Sequence, residues 1–194
     1  MDGLSPRGGW IEVITGGMFS GKSEELIRRV CRAEIARQRV QLFKPAVDNR
    51  FDGKRIVSRD NRGIDALVSN DAAELRSSVV IGAKVVGIDE VQFFDDHIVD
   101  VCMELADAGV RVIAAGLDQD YLRRPFGPMP HLLAVAEYVS KMHAVCVRCG
   151  GPAHYTQRVS GGDSQIEIGD GSYEARCRMC YEPYKAKVEQ IRSA

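Results

Sequence analysis

The stretch Gly16-Gly17-Met18-Phe19-Ser20-Gly21-Lys22-Ser23 decides the fold of this chain, because it matches the pattern G-x-x-x-x-G-K-[ST]. In this pattern the glycines let successive backbone N–H groups curve around phosphate oxygens, and the following helix presents its positive N-terminal end. The lysine supplies a charge for the terminal phosphates, and the final hydroxyl ligates Mg²⁺. We therefore predict phosphate binding at residues 16–23, although the pattern also arises by chance in roughly one chain in a hundred of this length.

The segments around this loop supply the context that the motif requires. An apolar run at residues 10–14 predicts a strand before the loop. A helical pattern follows over residues 22–37, with apolar side chains at Leu26, Ile27, Val30 and Ala33. The alternation continues, and it predicts strands at residues 40–43, 85–88 and 110–115 and helices at residues 71–77 and 98–108. Apolar strands that alternate with helices predict an α/β fold, a P-loop NTPase-like parallel sheet flanked by helices.

Composition narrows the class of protein further. The chain has 194 residues, 45% of them hydrophobic, and 26 basic against 27 acidic side chains. These values fit one globular domain or one domain with a small satellite, and they exclude a mostly disordered chain. A net charge of −1 argues against a dedicated nucleic-acid or membrane-surface binder. Because the most apolar stretch, at residues 79–91, contains three charges and the N-terminus lacks a signal pattern, we expect a cytoplasmic protein.

Two adjacent carboxylates stand where a P-loop protein needs acidic groups. Asp89 directly follows the predicted strand at residues 85–88, which is the position of a second magnesium-holding carboxylate. Glu90 comes next, and neighbouring side chains on an extended segment point to opposite sides. One carboxylate can therefore face the metal while the other accepts the proton of an attacking hydroxyl or water. The alternative is that both merely cap a turn.

The cysteines predict a metal site. Cys31 and Cys102 stand alone in helical patterns, whereas the other four cysteines form two Cys-x-x-Cys pairs near the C-terminus, Cys146, Cys149, Cys177 and Cys180. Four thiolates match a closed, structural Zn²⁺ site better than a redox pair. Since helical periodicity is lost here, we predict a P-loop domain at residues 1–142 and a zinc-binding domain at residues 143–194.

A nucleic-acid role for this zinc-binding part is the main alternative that charge can test. Residues 143–194 contain seven basic and six acidic side chains, a weak electrostatic footprint for a phosphate backbone. The 27 residues between the cysteine pairs are instead a candidate lid for a small ligand. The residues alone leave two classes open besides an enzyme that acts on a small molecule. One is an ATPase whose zinc-binding part docks on nucleic acid, and the other is a nucleotide sensor that transfers phosphate to no acceptor.

In combination, several segments resemble the zinc-containing cytosolic thymidine kinases. They are the loop at residues 16–23, DEVQFF at residues 89–94, PFGPMP at residues 125–130 and the double Cys-x-x-Cys. The resemblance extends over about residues 10–184. It implies transfer of the ATP γ-phosphoryl group to the 5′-hydroxyl of thymidine, and also of deoxyuridine. It further implies a homotetramer that is inhibited by dTTP, with no nucleic-acid or membrane partner.

The same resemblance assigns roles to individual residues. Glu90 is the expected catalytic base. The ATP and magnesium contacts are expected at Gly16, Gly17, Met18, Phe19, Ser20, Gly21, Lys22, Ser23, Asp48, Arg50, Asp89 and Gln92. The pyrimidine pocket and the lasso loop that covers it are expected at Met18, Phe93, Leu117, Tyr121, Phe126, Thr156, Gln165, Ile166, Glu167, Ile168, Gly169 and Tyr173. The chain departs from the family at Arg59, where a histidine is usual, and in a lasso that is one residue shorter.

Overall fold

The structure, a computed structural model, describes residues 8–48, 55–57, 63–160 and 170–183. Strands and helices alternate up to residue 141, and the strands described after it have only two to four residues. In chain order the elements are β1 (Trp10–Thr15), α1 (Lys22–Ile35), β2 (Val40–Pro45), β3 (Arg55–Val57), β4 (Gly63–Asp65), β5 (Leu67–Ser69), α2 (Ala72–Ser78), β6 (Val85–Ile88), α3 (Ile98–Asp107), β7 (Arg111–Gly116), α4 (Met129–Val135), β8 (Tyr138–Lys141), β9 (Ala144–Val145), β10 (Pro152–Ala153), β11 (Tyr155–Arg158) and β12 (Tyr173–Arg176).

Six strands form one parallel sheet in the order β5-β2-β6-β7-β1-β8. The register between β1 and β7 runs from Trp10 opposite Arg111 to Thr15 opposite Gly116. All of β6 is buried, as are the last five residues of β7, because helices cover both faces of a parallel sheet. The predicted α/β fold is confirmed.

The apolar core lies on both faces of this sheet. Helix α1 covers one face with Leu26, Ile27, Val30 and Ala33, the four side chains that the periodicity singled out. Helices α2, α3 and α4 cover the other face. Asp71 caps the N-terminus of α2, since its carboxylate accepts a hydrogen bond from the backbone N–H of Glu74 at 2.8 Å.

Strand β8 and helix α4 are among the elements of the sheet region that were not predicted. Strand β8 pairs only with β1 at the sheet edge, and because it is mostly exposed it lacks the apolar run of an interior strand. Helix α4 has seven residues that follow Pro128 and include Pro130. Proline reads as a loop signal in a sequence, yet it is tolerated in the first turn of a helix.

The parallel arrangement brings the carboxyl ends of β1, β6 and β7 to one edge of the sheet. Residues that follow strand ends therefore meet there although they are far apart in sequence. Beyond β8, the strands form two small antiparallel pairs, β9 with β10 and β11 with β12. Residues 184–194, the end of the predicted zinc-binding domain, lie outside the described residues. Among the helices that the structure describes, none has the length and apolar character that crossing a membrane requires.

Candidate active site and metal centre

The glycine-rich loop connects the end of β1 to the start of α1. Gly16 has a φ of +142°, and a Cβ there would lie 2.3 Å from the carbonyl oxygen of Met142, so only glycine fits. Gly21, with a φ of +84°, is the residue at which the chain enters α1. Inside the loop, the Ser20 hydroxyl donates to the carbonyl of Gly17 at 2.8 Å. The loop is thus a tight, closed turn on a helix N-terminus.

The polar residues at the start of α1 lie against this loop and against β6. Lys22 Nζ donates to the carbonyl oxygen of Gly17 at 2.9 Å, so its charge lies over the loop. The Ser23 hydroxyl donates to Asp89 Oδ1 at 3.2 Å. Asp89 directly follows β6, and its N–H continues the sheet by donating to the carbonyl of Phe43 at 2.9 Å. A hydroxyl and a carboxylate from residues 66 positions apart therefore lie side by side next to the loop.

Glu90 is buried at the turn that leaves β6. Its φ of +48° lies in the left-handed region, which costs energy for a residue with a side chain and is found most often at functional sites. The turn is closed by Phe93, whose N–H donates to the Glu90 carbonyl at 3.1 Å. The backbone strain marks Glu90 as a residue whose position is imposed by its surroundings.

Gln92 fixes the carboxylate of Glu90. Its side-chain Nε2 donates to Glu90 Oε2 at 2.6 Å, and its Oε1 accepts the N–H of Leu117 at 3.0 Å. Gly116 and Gly127 make room for Gln92, because a Cβ on either would lie 2.6 Å or less from an oxygen of Gln92. The amide thus links Glu90 to the end of β7. No sequence pattern predicts this bridge, and the resemblance had placed Gln92 only among the phosphate contacts.

The expected pocket residues come from several elements. Phe93 and Phe126 contact edge to face with ring centroids 5.6 Å apart. Leu117 and Tyr121 follow β7, so they lie near the same edge of the sheet. From the far end of the chain, Thr156 reaches the glycine-rich loop, where its Oγ1 accepts the backbone N–H of Met18 at 3.0 Å.

Other expected residues are placed differently or cannot be described. Asp48 lies 3.8 Å from the ammonium of Lys44, which is itself fully buried. Tyr173 pairs across the strands with Arg158, a buried cation that the sequence had counted only as one of the charges of the zinc-binding part. Arg50, the Ser58-Arg59-Asp60 segment and the lasso positions Gln165, Ile166, Glu167, Ile168 and Gly169 lie outside the described residues.

The four C-terminal cysteines form a cluster that can hold a metal ion. The Sγ atoms of Cys146, Cys149, Cys177 and Cys180 all lie within 4.8 Å of one another. Cys149 and Cys177 have sulfurs 3.6 Å apart, and Zn–S bonds of about 2.3 Å in a tetrahedron place sulfurs about 3.8 Å apart. Burial opposes ionisation of the Cys146 thiol, but backbone N–H groups outweigh it and lower the pKa to about 6. The donor set and spacing fit a closed tetrahedral site.

This metal centre touches the glycine-rich loop. Phe19, which has a φ of +68° in the middle of the loop, packs with Cys177 and Cys180 against the small cluster of Ala144, Cys146, Ala153 and Ala175. Together with the bond between Met18 and Thr156, this contact joins the cysteines to the loop. A metal at the cysteines would therefore stabilise one wall of the site without supplying a reacting group.

Fold and site define a class: a P-loop nucleotide-binding protein of the parallel α/β kind with an attached cluster of four cysteines that can hold a metal ion. Comparison with known proteins makes this specific. The family model described as thymidine kinase matches residues 9–181, and this chain belongs to that family.

Individual relatives agree with this assignment. A thymidine kinase of Bdellovibrio bacteriovorus is 53% identical over 90% of this chain and 86% of its own length. One of Porphyromonas gingivalis is 51% identical over 97% of this chain and 94% of its own length. Among solved structures, domain III of the Thermotoga maritima replication initiation protein DnaA aligns with a TM-score of 0.43 and 17% identity over 71% of this chain and 56% of that one.

Proposed function

We propose that this protein transfers the γ-phosphoryl group of ATP to the 5′-hydroxyl of thymidine, and also of deoxyuridine, giving the nucleoside monophosphate and ADP. The observation that carries the proposal is the position of Glu90. Its buried carboxylate, oriented by Gln92, lies at the same sheet edge as the Ser23 and Asp89 pair. This edge thus offers both a phosphate cradle and a base for an acceptor hydroxyl. Membership of the thymidine kinase family supports thymidine as the acceptor.

The donor half of the reaction belongs to the loop and the start of α1. Backbone N–H groups of residues 16–23 and the charge of Lys22 bind the phosphates, and Asp48 and Arg50 assist near them. Ser23 and Asp89 would hold Mg²⁺, whose charge neutralises the transferring group when it is bound. Phosphoryl transfer is mostly positioning and charge stabilisation, so these residues need not take part covalently.

On the acceptor side, Glu90 takes the proton of the 5′-hydroxyl. The hydroxyl oxygen then forms its bond to the γ-phosphorus while the bond from this phosphorus to the bridging oxygen breaks, and ADP leaves with the electron pair. Because Gln92 donates to Oε2 of Glu90, it holds the carboxylate in one orientation. The other oxygen can then face the sugar.

The pyrimidine is held by flat and apolar groups. Met18, Phe93, Leu117, Tyr121 and Phe126 form its walls, which suits a planar ring. Thr156, Tyr173 and the lasso residues 165–169 close the pocket, in part through backbone N–H and C=O groups that read the amide-like edge of the base. Zn²⁺ at the four cysteines has a structural role here, because all of its coordination positions would be filled.

Three further expectations follow from the family. Since dTTP carries the base of the acceptor and the triphosphate of the donor, it can occupy both subsites and act as a feedback inhibitor. We also expect a homotetramer and a cytoplasmic location. Size-exclusion chromatography with light scattering tests the tetramer, and inhibition kinetics with dTTP test the feedback.

A transfer assay with γ-labelled ATP against the four deoxynucleosides and deoxyuridine tests the proposal. We expect label on thymidine and deoxyuridine, and little hydrolysis of ATP without a nucleoside. A parallel reaction with single- and double-stranded DNA tests the alternative class. ATP hydrolysis that DNA stimulates and salt suppresses, without label on any nucleoside, would show a nucleic-acid-dependent ATPase instead.

A further inference from the structure

Arg158 is a buried cation in an unusual position. It ends β11 and lies directly opposite Tyr173, the first residue of β12. Only 2% of its surface is exposed, and a buried charge is costly unless its surroundings compensate it. Nothing in the family resemblance gave this residue a role. The contacts of its guanidinium show what the buried charge does.

The guanidinium contacts two aromatic residues that come from different parts of the chain. Its Nη2 donates to the hydroxyl oxygen of Tyr173 at 2.5 Å. Its Cζ lies 3.8 Å from the ring centroid of Tyr121, which follows β7, and 5.2 Å from that of Tyr173. A guanidinium stacked on an aromatic face gains cation–π attraction, and this attraction is larger when the pair is desolvated. One side chain therefore joins two residues that are both expected to line the nucleoside pocket.

Tyr121 is held from a second direction as well. The hydroxyl of Tyr181, next to Cys180, donates to the backbone carbonyl of Tyr121 at 2.7 Å. The backbone of Tyr121 is thus fixed by the metal-centre side and its ring by Arg158. Such double support is expected of a residue whose position matters.

The direction of the hydrogen bond to Tyr173 has a further consequence. A guanidinium can only donate, so the Tyr173 oxygen accepts from Arg158, and the hydrogen of Tyr173 must point to another acceptor. We propose that Arg158 is a positioning residue for the nucleoside. It fixes Tyr121 as a flat wall and commits the Tyr173 hydroxyl to donate to an oxygen of the nucleoside. This inference rests on the proposed function.

The test compares Arg158→Met, Arg158→Lys, Tyr173→Phe and the double variant Arg158→Met/Tyr173→Phe in steady-state transfer from ATP to thymidine. Losing a charge-assisted hydrogen bond and the stack should raise the KM for thymidine about tenfold to a hundredfold in Arg158→Met, while the KM for ATP changes less than about threefold. Arg158→Lys keeps a charged donor without the planar stack, so its thymidine KM should lie in between. If Arg158 acts through Tyr173, the double variant should be much less impaired than the product of the two single effects.

Arg176→Met is the matched control for a merely structural role. Arg176 is also buried and lies on β12, but it contacts Glu174 and the carbonyl of Cys180 rather than an aromatic wall. We expect it to lower the melting temperature about as much as Arg158→Met while raising the thymidine KM less. Equal effects of both arginine variants on thymidine and ATP would overturn the inference, as would multiplicative effects in the double variant.

The test still decides if Arg158→Met does not fold. In that case Arg158→Lys, alone and combined with Tyr173→Phe, should show the same selective rise in the thymidine KM and the same non-multiplicative double effect, but with smaller changes. A thymidine KM equal to wild type in Arg158→Lys would overturn the stacking role. Wild-type protein that labels no nucleoside would refute the proposed function and this inference together. If the wild-type protein phosphorylates thymidine but the Arg158 variants raise the KM values for thymidine and ATP equally, only this inference is refuted.

Discussion

The chain contains two regions that are stabilised in different ways. The sheet region, described residues 8–142, packs large apolar side chains on both faces of its parallel sheet. In the cysteine region, described residues 143–160 and 170–183, the core cluster consists of Ala144, Cys146, Ala153 and Ala175, and three tyrosines are buried beside it. Full burial of a leucine or valine contributes about 1.5–3 kcal/mol, and an alanine contributes far less. The first region can therefore fold on hydrophobic burial, whereas a metal at the four cysteines would add the stability that the second region gains less of from burial.

Under the proposed function, the two regions also divide the chemistry. The phosphate loop, Asp89 and Glu90 belong to the sheet region, while Thr156 and Tyr173 belong to the cysteine region. They meet at a few contacts, among them Met18 with Thr156 and Tyr121 with Tyr181. Changes at Asp89, Glu90 and the residues that orient them should therefore affect turnover, and changes in the cysteine region should affect nucleoside affinity. The following experiments test this division, in order of decreasing expected effect.

The largest effect is expected for Glu90→Gln, which keeps the size of the side chain but removes the base. Turnover should fall by about a hundredfold or more, because a positioned general base contributes on the order of 10²–10⁴ in rate. The KM values for ATP and thymidine should stay within about threefold of wild type. Steady-state kinetics measure both, with Glu104→Gln, an exposed carboxylate of α3, as control. Near-normal turnover would show that Glu90 is not the base.

Removal of the metal should affect nucleoside affinity, which the cysteine region supports, rather than turnover. Chelation, or Cys177→Ser, should raise the KM for thymidine about tenfold or more and the KM for ATP much less, because the thiolates hold the cysteine region together. Circular dichroism should show that the helices of the sheet region persist. Cys31→Ser is the matched control, since Cys31 lies on α1 away from the metal ligands. A chelated protein with an unchanged thymidine KM would contradict the division.

Gln92→Ala tests whether the bridge between Glu90 and β7 matters for turnover. We expect turnover to fall about tenfold or more, since a hydrogen bond to a charged group contributes about 1.5–3 kcal/mol and the carboxylate would lose its fixed orientation. Gln41→Ala is a fitting control. Its amide also bridges two backbone groups, Ser78 and Val80, but near the other end of the sheet. Equal losses in both variants would indicate general destabilisation rather than positioning.

Tyr181→Phe removes a single hydrogen bond between the two regions. Without the donor to the carbonyl of Tyr121, the thymidine KM should rise about twofold to fivefold at constant turnover. Tyr138→Phe, an exposed hydroxyl of β8, should change neither constant. If Tyr181→Phe lowered turnover and left the thymidine KM unchanged, the two regions would not divide the work as described.

The smallest effect on activity is expected for Glu12→Gln, because Glu12 contributes to the stability of the sheet region and not to the reaction. Burial opposes ionisation of Glu12, but hydrogen bonds from Arg111, Trp10 and Arg29 outweigh it and lower its pKa below 4.5. A lowered pKa in the folded state adds stability that is present above the unfolded value and is lost as the pH falls through the folded value. The variant should therefore lose about 1–3 kcal/mol of stability at pH 7.

Thermal melting over a range of pH measures this contribution. The gap in melting temperature between wild type and Glu12→Gln should shrink as the pH falls below about 4.5. Thymidine phosphorylation at pH 7 and moderate temperature should stay close to wild type. A gap that is independent of pH would show that the ion pairs with Arg29 and Arg111 contribute nothing through the charge of Glu12.

Much of the sheet region was predictable, because its elements carry local signals. Strand β6 was predicted with the bounds that the structure has, and β1, β2 and β7 to within two residues at either end, since each is rich in apolar residues. The edge strand β8 was missed because exposure removes that signal. The short strand β5 carries little signal, and the pair of β3 and β4 depends on chain reversal rather than on periodicity.

By itself, the sequence determined the glycine-rich loop, the four cysteines that can hold a metal and the parallel α/β fold. Glycines, paired cysteines and apolar runs reflect local requirements of the backbone, of a metal site and of the core. Tertiary structure alone decided that Gln92 joins Glu90 to Leu117 and that Arg158 joins Tyr121 to Tyr173. These contacts depend on strand order and register, which bring distant residues together. No local pattern of one or two polar residues encodes such a meeting.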